Sequence, residues 1–567
     1  MCTVKPGGVL NGSLKTLNVY LLALPRYERC VLLAEDLADR QQKGYLQYAF
    51  DNADFNVRTL TGHGTFHSMG GIRFTTPAPE KDDMLIPRIM ERPTILSIGE
   101  KGVMKVSWYT KPSSLGLKSI KVKALKACSA EAIVSVRKAL TQDSVLAAAR
   151  WAGLTSPPSW NGFMRKIHNT GELSVRSQID ALPFINLNPG DPSSIYTALL
   201  FAERECVKMH QNSCPVTFDQ PLYAKASEIV ASAPPDELKL IILRMGGFHL
   251  LISYLGSVGF IMAGSGLEEL WQEVYAKASV GHMLTGHAYS RALRAHFLTE
   301  MALVSIILEE FTTLNKDWKQ DLSVMLNSAL NGTTSPEEIA TSPTSSAFFD
   351  AIEERKEVLA KRSLTGKLWI QYLKLTEFVR LYLRAERTSD WDLHLYCVRS
   401  MLSIFHAAGH FQYAKSAHLY LQEMTELKSR MSRNEFDQFI SSGFFTIRRT
   451  HDFWGCISLD MAIEQSLMRL LKVQGGLTHG RGVSENQLAY FVLSFPGCMK
   501  ICEALERLTG ISRASTEQHV DLRDSRRAAD EREEKIHHSK DGLKITHPGL
   551  IPEVCTLSRQ ESKETRP

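Results

Sequence analysis

The chain has 567 residues, a hydrophobic fraction of 44% and a formal net charge of +5, values typical of an ordinary globular protein of roughly two to four domains. Its ten cysteines are scattered without a C-x-x-C pair, and no apolar stretch reaches the ~20 residues of a membrane span. These features argue against a disulfide scaffold, a zinc finger and a membrane protein, whereas the mild basic excess permits binding to nucleic acid without requiring it.

The N-terminal part of the chain combines strand-like and helical sequence. Strand-like runs are predicted at Gly44–Phe50, Thr65–Thr75 and Val103–Tyr109, and the sequence at Ser119–Ala124 is also rich in β-formers. A helix is predicted over Ala130–Trp151.

Strands and helices continue to alternate after a loop-rich stretch at Thr155–Pro192. A helix is predicted at Ser193–His210, with serine at its N-cap. The sequence "CPVTFD" (Cys214–Asp219) predicts a short buried strand, and Pro221 opens the helix that follows it. The apolar run "LKLIILRMG" (Leu238–Gly246) predicts another buried strand.

The second half of the chain is predicted to be helical. Apolar residues recur at helical spacing over residues 248–313 and 347–475, and the polar stretch Asn331–Ser346 between them is typical of a linker. From Arg513 onward the sequence is highly charged with few apolar residues, which predicts an exposed helix followed by disorder.

Acidic residues end two of the predicted strands. Asp51 closes the first, and Asp219 closes the strand in "VTFDQPLY". A carboxylate at the end of a buried strand is costly unless it is solvated, hydrogen-bonded or bound to a metal. Much later, Asp460 and Glu464 are four residues apart, which places both on one helix face. We therefore predict a site for two divalent cations made by Asp51, Asp219 and Glu464, with Asp54 and Asp460 as alternates.

Such a site would have a definite chemistry. Mg²⁺ prefers oxygen ligands and retains water, and two ions about 3.5–4 Å apart activate the attacking oxygen and stabilise the leaving oxygen of a phosphoryl transfer. Each acid also has a structural interpretation. The sequence Asp51–Asp54 is compatible with a turn, Asp219 with an N-cap, and Asp460 and Glu464 with a solvated helical pair.

Basic and aromatic residues provide candidates for contact with DNA. His249 follows the last predicted strand, so it could line the same cleft and contact a phosphate, or cap the following helix. The sequence "TIRRTHDFW" combines cationic and aromatic side chains, which suits phosphate contact and base stacking but also a half-buried helix entry. A flexible basic loop, "GGLTHGRG", is a further candidate or a plain connection. The residues concerned are Arg448, Arg449, His451, Trp454 and Arg481.

Several stretches resemble a large set of uncharacterised animal proteins that occur in many near-copies per genome, as mobile elements do. The resemblance covers roughly residues 40–525. The stretches that carry it are "FDNADFNVRTLTGHGTFHSMGG", "PSWNGFMRKIH", "PVTFDQPLYAKASEIV", "LRMGGFHLLISYLGSVGFIMAGSGLEEL", "MLTGHAYSRALRAH" and "FWGCISLDMAIEQSLMR" with the later "GGLTHGRG".

The order of parts also resembles that of RNase H-like transposases with three catalytic carboxylates. In that fold the first Asp lies on the first strand, the second follows the fourth strand, and the last acid lies on a late helix, in some enzymes after a long helical insertion. The resemblance implies an α/β RNase H-like core with a large all-α insertion or C-terminal region. The implied divisions are an N-terminal segment (1–40), the α/β core (41–265), a helical insertion (266–440), a helical return with the last acid (441–512) and a charged, largely disordered tail (513–567).

The function implied by this resemblance is Mg²⁺- or Mn²⁺-dependent cleavage and transfer of DNA strands. Asp51, Asp219 and Glu464 would hold the metals, and DNA would be the partner, with self-association left open. We expect an intracellular protein, nuclear if it acts on DNA. The alternative is a non-catalytic helical scaffold or DNA-binding remnant, in which the same acids are caps and turns.

Overall fold

The computed structural model describes residues 44–57, 64–78, 104–111, 120–168, 175–309, 317–449 and 453–468. Its centre is a five-stranded sheet in the order β3-β2-β1-β4-β5. Strands β1, β4 and β5 are parallel, and β2 runs antiparallel to both of its neighbours. This is the strand order of the RNase H-like topology. The strands are β1 Tyr45–Val57, β2 Gly64–Thr76, β3 Gln178–Ala181, β4 Cys214–Phe218 and β5 Ile241–Met245.

The central strand β1 separates two apolar cores. Successive side chains of a strand point to opposite faces of the sheet. Tyr48 and Phe50 therefore belong to the large core shared with most of the helices. Ala49 and Ala53 belong to a smaller core on the other face, where they pack with residues of the 456–468 segment such as Ile463.

Helices accompany the sheet, and polar side chains cap several of their first turns. Ser129, Ser159, Asp191 and Asp219 each accept a hydrogen bond from a backbone N–H of the helix that follows, which satisfies donors that the helix itself cannot pair. These helices are α1 Ala130–Ala147, α2 Trp160–Ile167, α3 Pro192–Lys208, α4 Gln220–Ser232 and α5 Gly247–Ile261.

A large helical region follows the sheet. Its helices are α6 Leu267–Gln272, α7 Lys277–Leu284, α8 Tyr289–Glu309, α9 Asp317–Leu330, α10 Pro336–Thr341, α11 Pro343–Arg362, α12 Leu364–Thr388, α13 Trp391–Ala407, α14 Phe411–Met424, α15 Leu427–Arg430 and α16 Arg433–Phe436.

Buried charges join this helical region to α1. Arg384 of α12 donates to Asp143 of α1 over 2.6 Å, and Arg380 of α12 pairs with Glu300 of α8. All four side chains are largely buried, so each charge depends on its partner to offset the cost of leaving water.

The chain then returns to the sheet. A two-stranded ladder of β6 Ile447–Arg448 and β7 Cys456–Ile457 leads into α17 Leu459–Ile463 and a π-helical turn, Glu464–Met468. The apolar side chains of this return segment, residues 456–468, form the smaller core with β1. The last described residues thus lie against the strand that comes first in the described chain.

Several predictions of local structure were wrong. Asp51 does not end a strand or begin a turn, because β1 continues through Asp54 to Val57. The predicted strands at 103–109 and 119–124 form no ladder over the described residues 104–109 and 120–124. The backbone N–H of Ser107 donates a hydrogen bond to a helix side chain, Thr197 Oγ1, at 2.9 Å, instead of to the backbone of a neighbouring strand.

Several shorter elements were missed, among them α2 within the stretch Thr155–Pro192 that was predicted to be loop-rich. The predicted linker Asn331–Ser346 contains α10 and the start of α11. A capping box, in which Ser335 and Glu338 each bond the backbone of the other, starts the first of these helices. The four-residue β3 was not predicted either. No helix among the described residues has both the length and the apolar character needed to cross a membrane.

Helices α5 and α7 approach each other closely at two glycines. A Cβ added to Gly259 would overlap the carbonyl oxygen of Leu284, and one added to Gly256 would lie 2.9 Å from the carbonyl oxygen of Thr285. The absence of side chains at these positions therefore allows the backbones to come together.

Gly259→Ala is expected to lower the free energy of unfolding by about 1–3 kcal/mol, because the methyl group meets backbone that cannot move aside cheaply. Gly281 of α7 provides the matched control, since a Cβ there would have no atom within 4 Å. Gly281→Ala should raise stability by roughly 0.5–1 kcal/mol through helix propensity. Chemical denaturation of both variants tests the close approach, and similar stabilities for the two would contradict it.

Candidate metal centre

Asp51 lies in the middle of the central strand with a largely buried side chain, 6% exposed. Its Oδ1 accepts a hydrogen bond from the backbone N–H of Asn52 at 2.7 Å, whereas its Oδ2 is buried and has no hydrogen-bond partner in the described structure. Ala49 and Ala53, on the same strand face, are small enough to let the return segment approach. A buried carboxylate oxygen without a partner is costly, which makes this atom a candidate ligand.

Glu464 approaches Asp51 from the return segment. The segment changes from α-helix to a π-helical turn at this residue, a geometry that is frequent at functional sites. Neighbouring Ile463 and Leu467 are buried in the core that also contains Ala49 and Ala53. Packing of these apolar residues thus fixes the position from which Glu464 faces the strand.

Asp219 directly follows β4, the parallel neighbour of β1. The ladder pairs Ala49 with Thr217, two residues before each acid, and the charge of Asp219 contributes to the raised pKa of Asp51. One carboxylate oxygen of Asp219 accepts from the backbone N–H of Leu222 at 3.0 Å, which confirms the predicted N-cap. The capping role leaves the second oxygen of this half-buried side chain for other contacts.

His249 enters from the first turn of α5, immediately after β5. Asp460 holds it in place: the Oδ2 of Asp460 accepts from the backbone N–H of His249 at 2.9 Å and lies 3.1 Å from its ring Nδ1. The Oδ1 of Asp460 accepts from the backbone N–H of Phe248 at 3.1 Å. Asp460 therefore caps α5 from a distant part of the chain and orients the imidazole.

Three side chains converge on one point. Asp51, His249 and Glu464 each offer a ligand atom, and these atoms all lie within 4.8 Å of one another. A single divalent ion binds nitrogen and oxygen ligands at about 2.0–2.2 Å, so it fits among atoms that are this close. Asp219 is outside this group of three, although it is close enough to influence it electrostatically.

The electrostatics of the site reflect this crowding. Burial raises the pKa of Asp51 to about 7; the charge of His249 opposes the rise, and the charges of Asp219 and Glu464 add to it. Burial also raises the pKa of Asp219. For His249, burial lowers the pKa, but the hydrogen bond and charge of Asp460, together with Asp51 and Asp219, raise it to about 9. For Asp460, burial alone would raise the pKa, but the contacts with His249 lower it below the usual value.

The remaining predicted site residues lie elsewhere or outside the described chain. The backbone of Asp54 pairs with His67 in β1–β2, and its side chain is not among those described. Arg448 is half-buried in β6 and donates from Nε to Cys456 Sγ at 3.1 Å; Arg449, the next residue, is also half-buried. His451 and Arg481 lie outside the described residues.

Trp454 is buried rather than presented to a ligand. Its indole is 4% exposed, donates to Asn161 Oδ1 at 3.2 Å and stacks on His168 with ring centroids 5.6 Å apart. Trp454 of "TIRRTHDFW" thus belongs to the core of this structure, and we leave it out of the proposed DNA contacts below.

The role of Asp460 as a cap that orients His249 was not predicted from the sequence. The glycine pair that follows β5 was the available signal. A Cβ on Gly246 would overlap the Asp460 carboxylate, and one on Gly247 would lie 2.5 Å from the hydroxyl oxygen of Tyr382. Two glycines at a strand-to-helix turn can therefore indicate that another part of the chain approaches the backbone there.

Comparisons with known proteins give one match. A family model described as a domain of unknown function, DUF8702, matches residues 159–543. That range includes Asp219, His249, Asp460 and Glu464 and begins after β1 and β2. No curated protein and no solved structure matches the chain.

Asp51→Asn is expected to stabilise the metal-free protein at pH 8 by an amount on the order of a few kcal/mol. The folded-state pKa of Asp51, about 7, is raised above its ordinary value of 3.8, so the wild-type protein loses stability as the pH rises between these values. Asparagine does not ionise and avoids this loss. The gain should shrink at pH 5 and vanish near pH 4.

Urea denaturation in the presence of a chelator, at pH 5 and pH 8, measures this difference. Asp350→Asn is the matched control, because the Asp350 carboxylate is exposed and pairs with Arg137. A gain in the free energy of unfolding for Asp51→Asn that is equal at the two pH values, or a loss at pH 8, would contradict a buried Asp51 carboxylate with a raised pKa.

Proposed function

The chain belongs to the DUF8702 family, and because the description of that family assigns no activity, we propose a function from the site itself. The protein is derived from an RNase H-like transposase, and its site carries out divalent-metal-dependent cleavage and transfer of DNA strands. The observation that carries the proposal is the convergence of Asp51, on the central strand of the sheet, with Glu464, on the segment that returns after the helical region.

The topology supports this proposal. Asp51 lies on the first strand and Asp219 directly after the fourth, and the two strands are neighbours. The last acid follows a helical region that we interpret as an insertion into the RNase H-like core. This is the order of the three acids in the transposases that the sequence resembles.

The donor set supports a divalent cation. The unpartnered Oδ2 of Asp51 is a buried acceptor for which the described residues provide no donor, and Glu464 is close to it. Asp51, Asp219 and Glu464 would hold Mg²⁺ or Mn²⁺. When bound, such ions supply the Lewis acidity that activates the attacking oxygen and stabilises the leaving oxygen of a phosphoryl transfer.

The residues of the chain would act by positioning. A water molecule, or the 3′-hydroxyl of a DNA end, attacks phosphorus, and the bond from phosphorus to the 3′-oxygen of the cleaved strand breaks. The attacking oxygen gives its proton to solvent, and the departing 3′-oxygen takes one up. Asp51, fixed by the sheet, and Glu464, fixed by the return segment, would define where the reacting phosphate sits. Arg448, Arg449, His451 and Arg481 remain candidates for DNA-backbone contact.

A non-catalytic helical scaffold or DNA-binding remnant is the second candidate. This candidate is supported by the structural roles of two of the acids, since Asp219 caps α4 and Asp460 caps α5. In that case removal of Asp51 or Glu464 would change stability without changing any reaction.

Nicking of supercoiled plasmid in Mg²⁺ or Mn²⁺ tests the proposal. We expect the wild-type chain to produce open-circle product, and Asp51→Asn and Glu464→Gln each to reduce its rate by at least about 100-fold, because charge stabilisation at the reacting phosphate is lost. Asp219→Asn should also reduce the rate strongly.

Asp350→Asn is again the control and should nick at the wild-type rate, since its carboxylate is exposed on the helical region. Far-ultraviolet circular dichroism confirms that each variant is folded. Wild-type protein that does not nick, or nicking that persists in Asp51→Asn, would reject the enzyme and favour the scaffold.

A further inference from the structure

His249 is oriented by the Asp460 carboxylate, which lies outside the cluster. Its Nδ1 faces the Asp460 carboxylate at 3.1 Å, and its backbone N–H donates to the same oxygen at 2.9 Å. With Nδ1 engaged in this way, Nε2 is the ring nitrogen left for a ligand. A carboxylate that supports the second nitrogen of an imidazole is the usual arrangement behind a metal-binding histidine.

Asp460 is itself held firmly. Both of its oxygens accept backbone N–H groups at the start of α5, and its side chain is buried. Gly246 provides the space that it occupies, because a Cβ at that position would overlap its carboxylate. The carboxylate cannot move toward the cluster without leaving the helix N-terminus uncapped. Asp460 therefore acts on the centre through His249.

The cluster combines this imidazole with two carboxylates. The atoms offered by Asp51, His249 and Glu464 lie within 4.8 Å of one another, and the Oδ2 of Asp51 is a buried acceptor for which the described part of the chain provides no donor. Mg²⁺ prefers oxygen ligands and water, whereas first-row transition ions accept imidazole nitrogen readily. A mixed nitrogen and oxygen set thus favours the transition ions.

We propose that His249 is a direct ligand of this centre and that Asp460 is its positioning residue, so that the site selects a first-row transition ion such as Mn²⁺ over Mg²⁺. The proposal rests on the cation site of the proposed function, but it does not depend on DNA cleavage. It gives His249 the role of a ligand of the ion, in place of the phosphate contact or helix cap considered from the sequence.

Pulsed electron paramagnetic resonance of the full-length chain with bound Mn²⁺ tests this directly. We expect a directly coordinated ¹⁴N coupling that changes to the ¹⁵N pattern when the protein is made with ¹⁵N-labelled histidine. The labelling experiment uses the wild-type chain, so it does not depend on the folding of any variant. Mn²⁺ bound with water and oxygen couplings alone would overturn the proposal, as would failure of the wild-type chain to bind Mn²⁺.

Variants then assign the nitrogen. His249→Gln should lose the coupling, and His406→Gln, a control at an exposed histidine of α13, should keep it. Asp460→Asn should weaken Mn²⁺ binding by about 10–100-fold, the usual effect of removing a group that orients a ligand. Competition titration should also show Mn²⁺ bound more tightly than Mg²⁺, with the preference reduced in His249→Gln. Equal affinities for the two ions in the wild-type chain would contradict the selectivity.

The two proposals can fail separately. A nitrogen-coordinated Mn²⁺ in a protein that does not nick DNA would retain His249 as a ligand and reject the nuclease. Nicking activity in a protein whose Mn²⁺ shows no nitrogen coupling would retain the nuclease and reject the ligand.

Discussion

The burial of the Asp51 charge is the constraint on which the rest of the centre depends. The carboxylate lies in the middle of the central strand, on the same face as Ala49 and Ala53, and one of its oxygens has no hydrogen-bond partner among the residues that the structure describes. Such a group can ionise inside a protein only if something nearby compensates it. The elements that meet around it bring further titratable groups: Asp219 follows β4, His249 follows β5, and Glu464 lies on the return segment. Several ionisable side chains that would each be costly to bury alone are therefore brought together at this site.

Asp460 and Glu464 have different contacts although they are only four positions apart in the sequence. Asp460 turns toward the N-terminus of α5, where backbone N–H groups and His249 stabilise its negative charge. Glu464 begins the π-helical turn and faces Asp51. A regular α-helix would stack the two side chains on one face. The segment changes from α-helix to a π-helical turn at Glu464, and the two side chains have different partners.

The sequence was sufficient for features that local chemistry determines. The buried runs of β4 and β5 and the N-cap at Asp219 follow from composition and spacing, as does the sharing of one segment by Asp460 and Glu464. Asp51 was correctly placed on the first strand but wrongly at its end, because the polar residues 51–54 resemble a turn more than the continuation of a hairpin strand. The helix at Pro336–Thr341 was missed because serine, threonine and proline suggested a linker, although Ser335 forms a capping box with Glu338 there.

Features that depend on tertiary contacts could not be predicted from the sequence. That Trp454 is buried, and that Asp460 orients His249, depend on which distant surfaces meet. Such contacts leave only indirect signals in the amino-acid sequence, of which Gly246 and Gly247 are the clearest.

The return of residues 456–468 to the first strand also bears on how the protein is made. A chain emerging from the ribosome exposes Asp51, Asp219 and His249 long before Glu464 and Asp460 exist, so the growing polypeptide holds only part of the ligand set. The contact between the return segment and β1 closes a very long loop, and closing such a loop carries an entropic cost. A product that ends before residue 464 would lack Glu464 and so could not form the cluster of Asp51, His249 and Glu464.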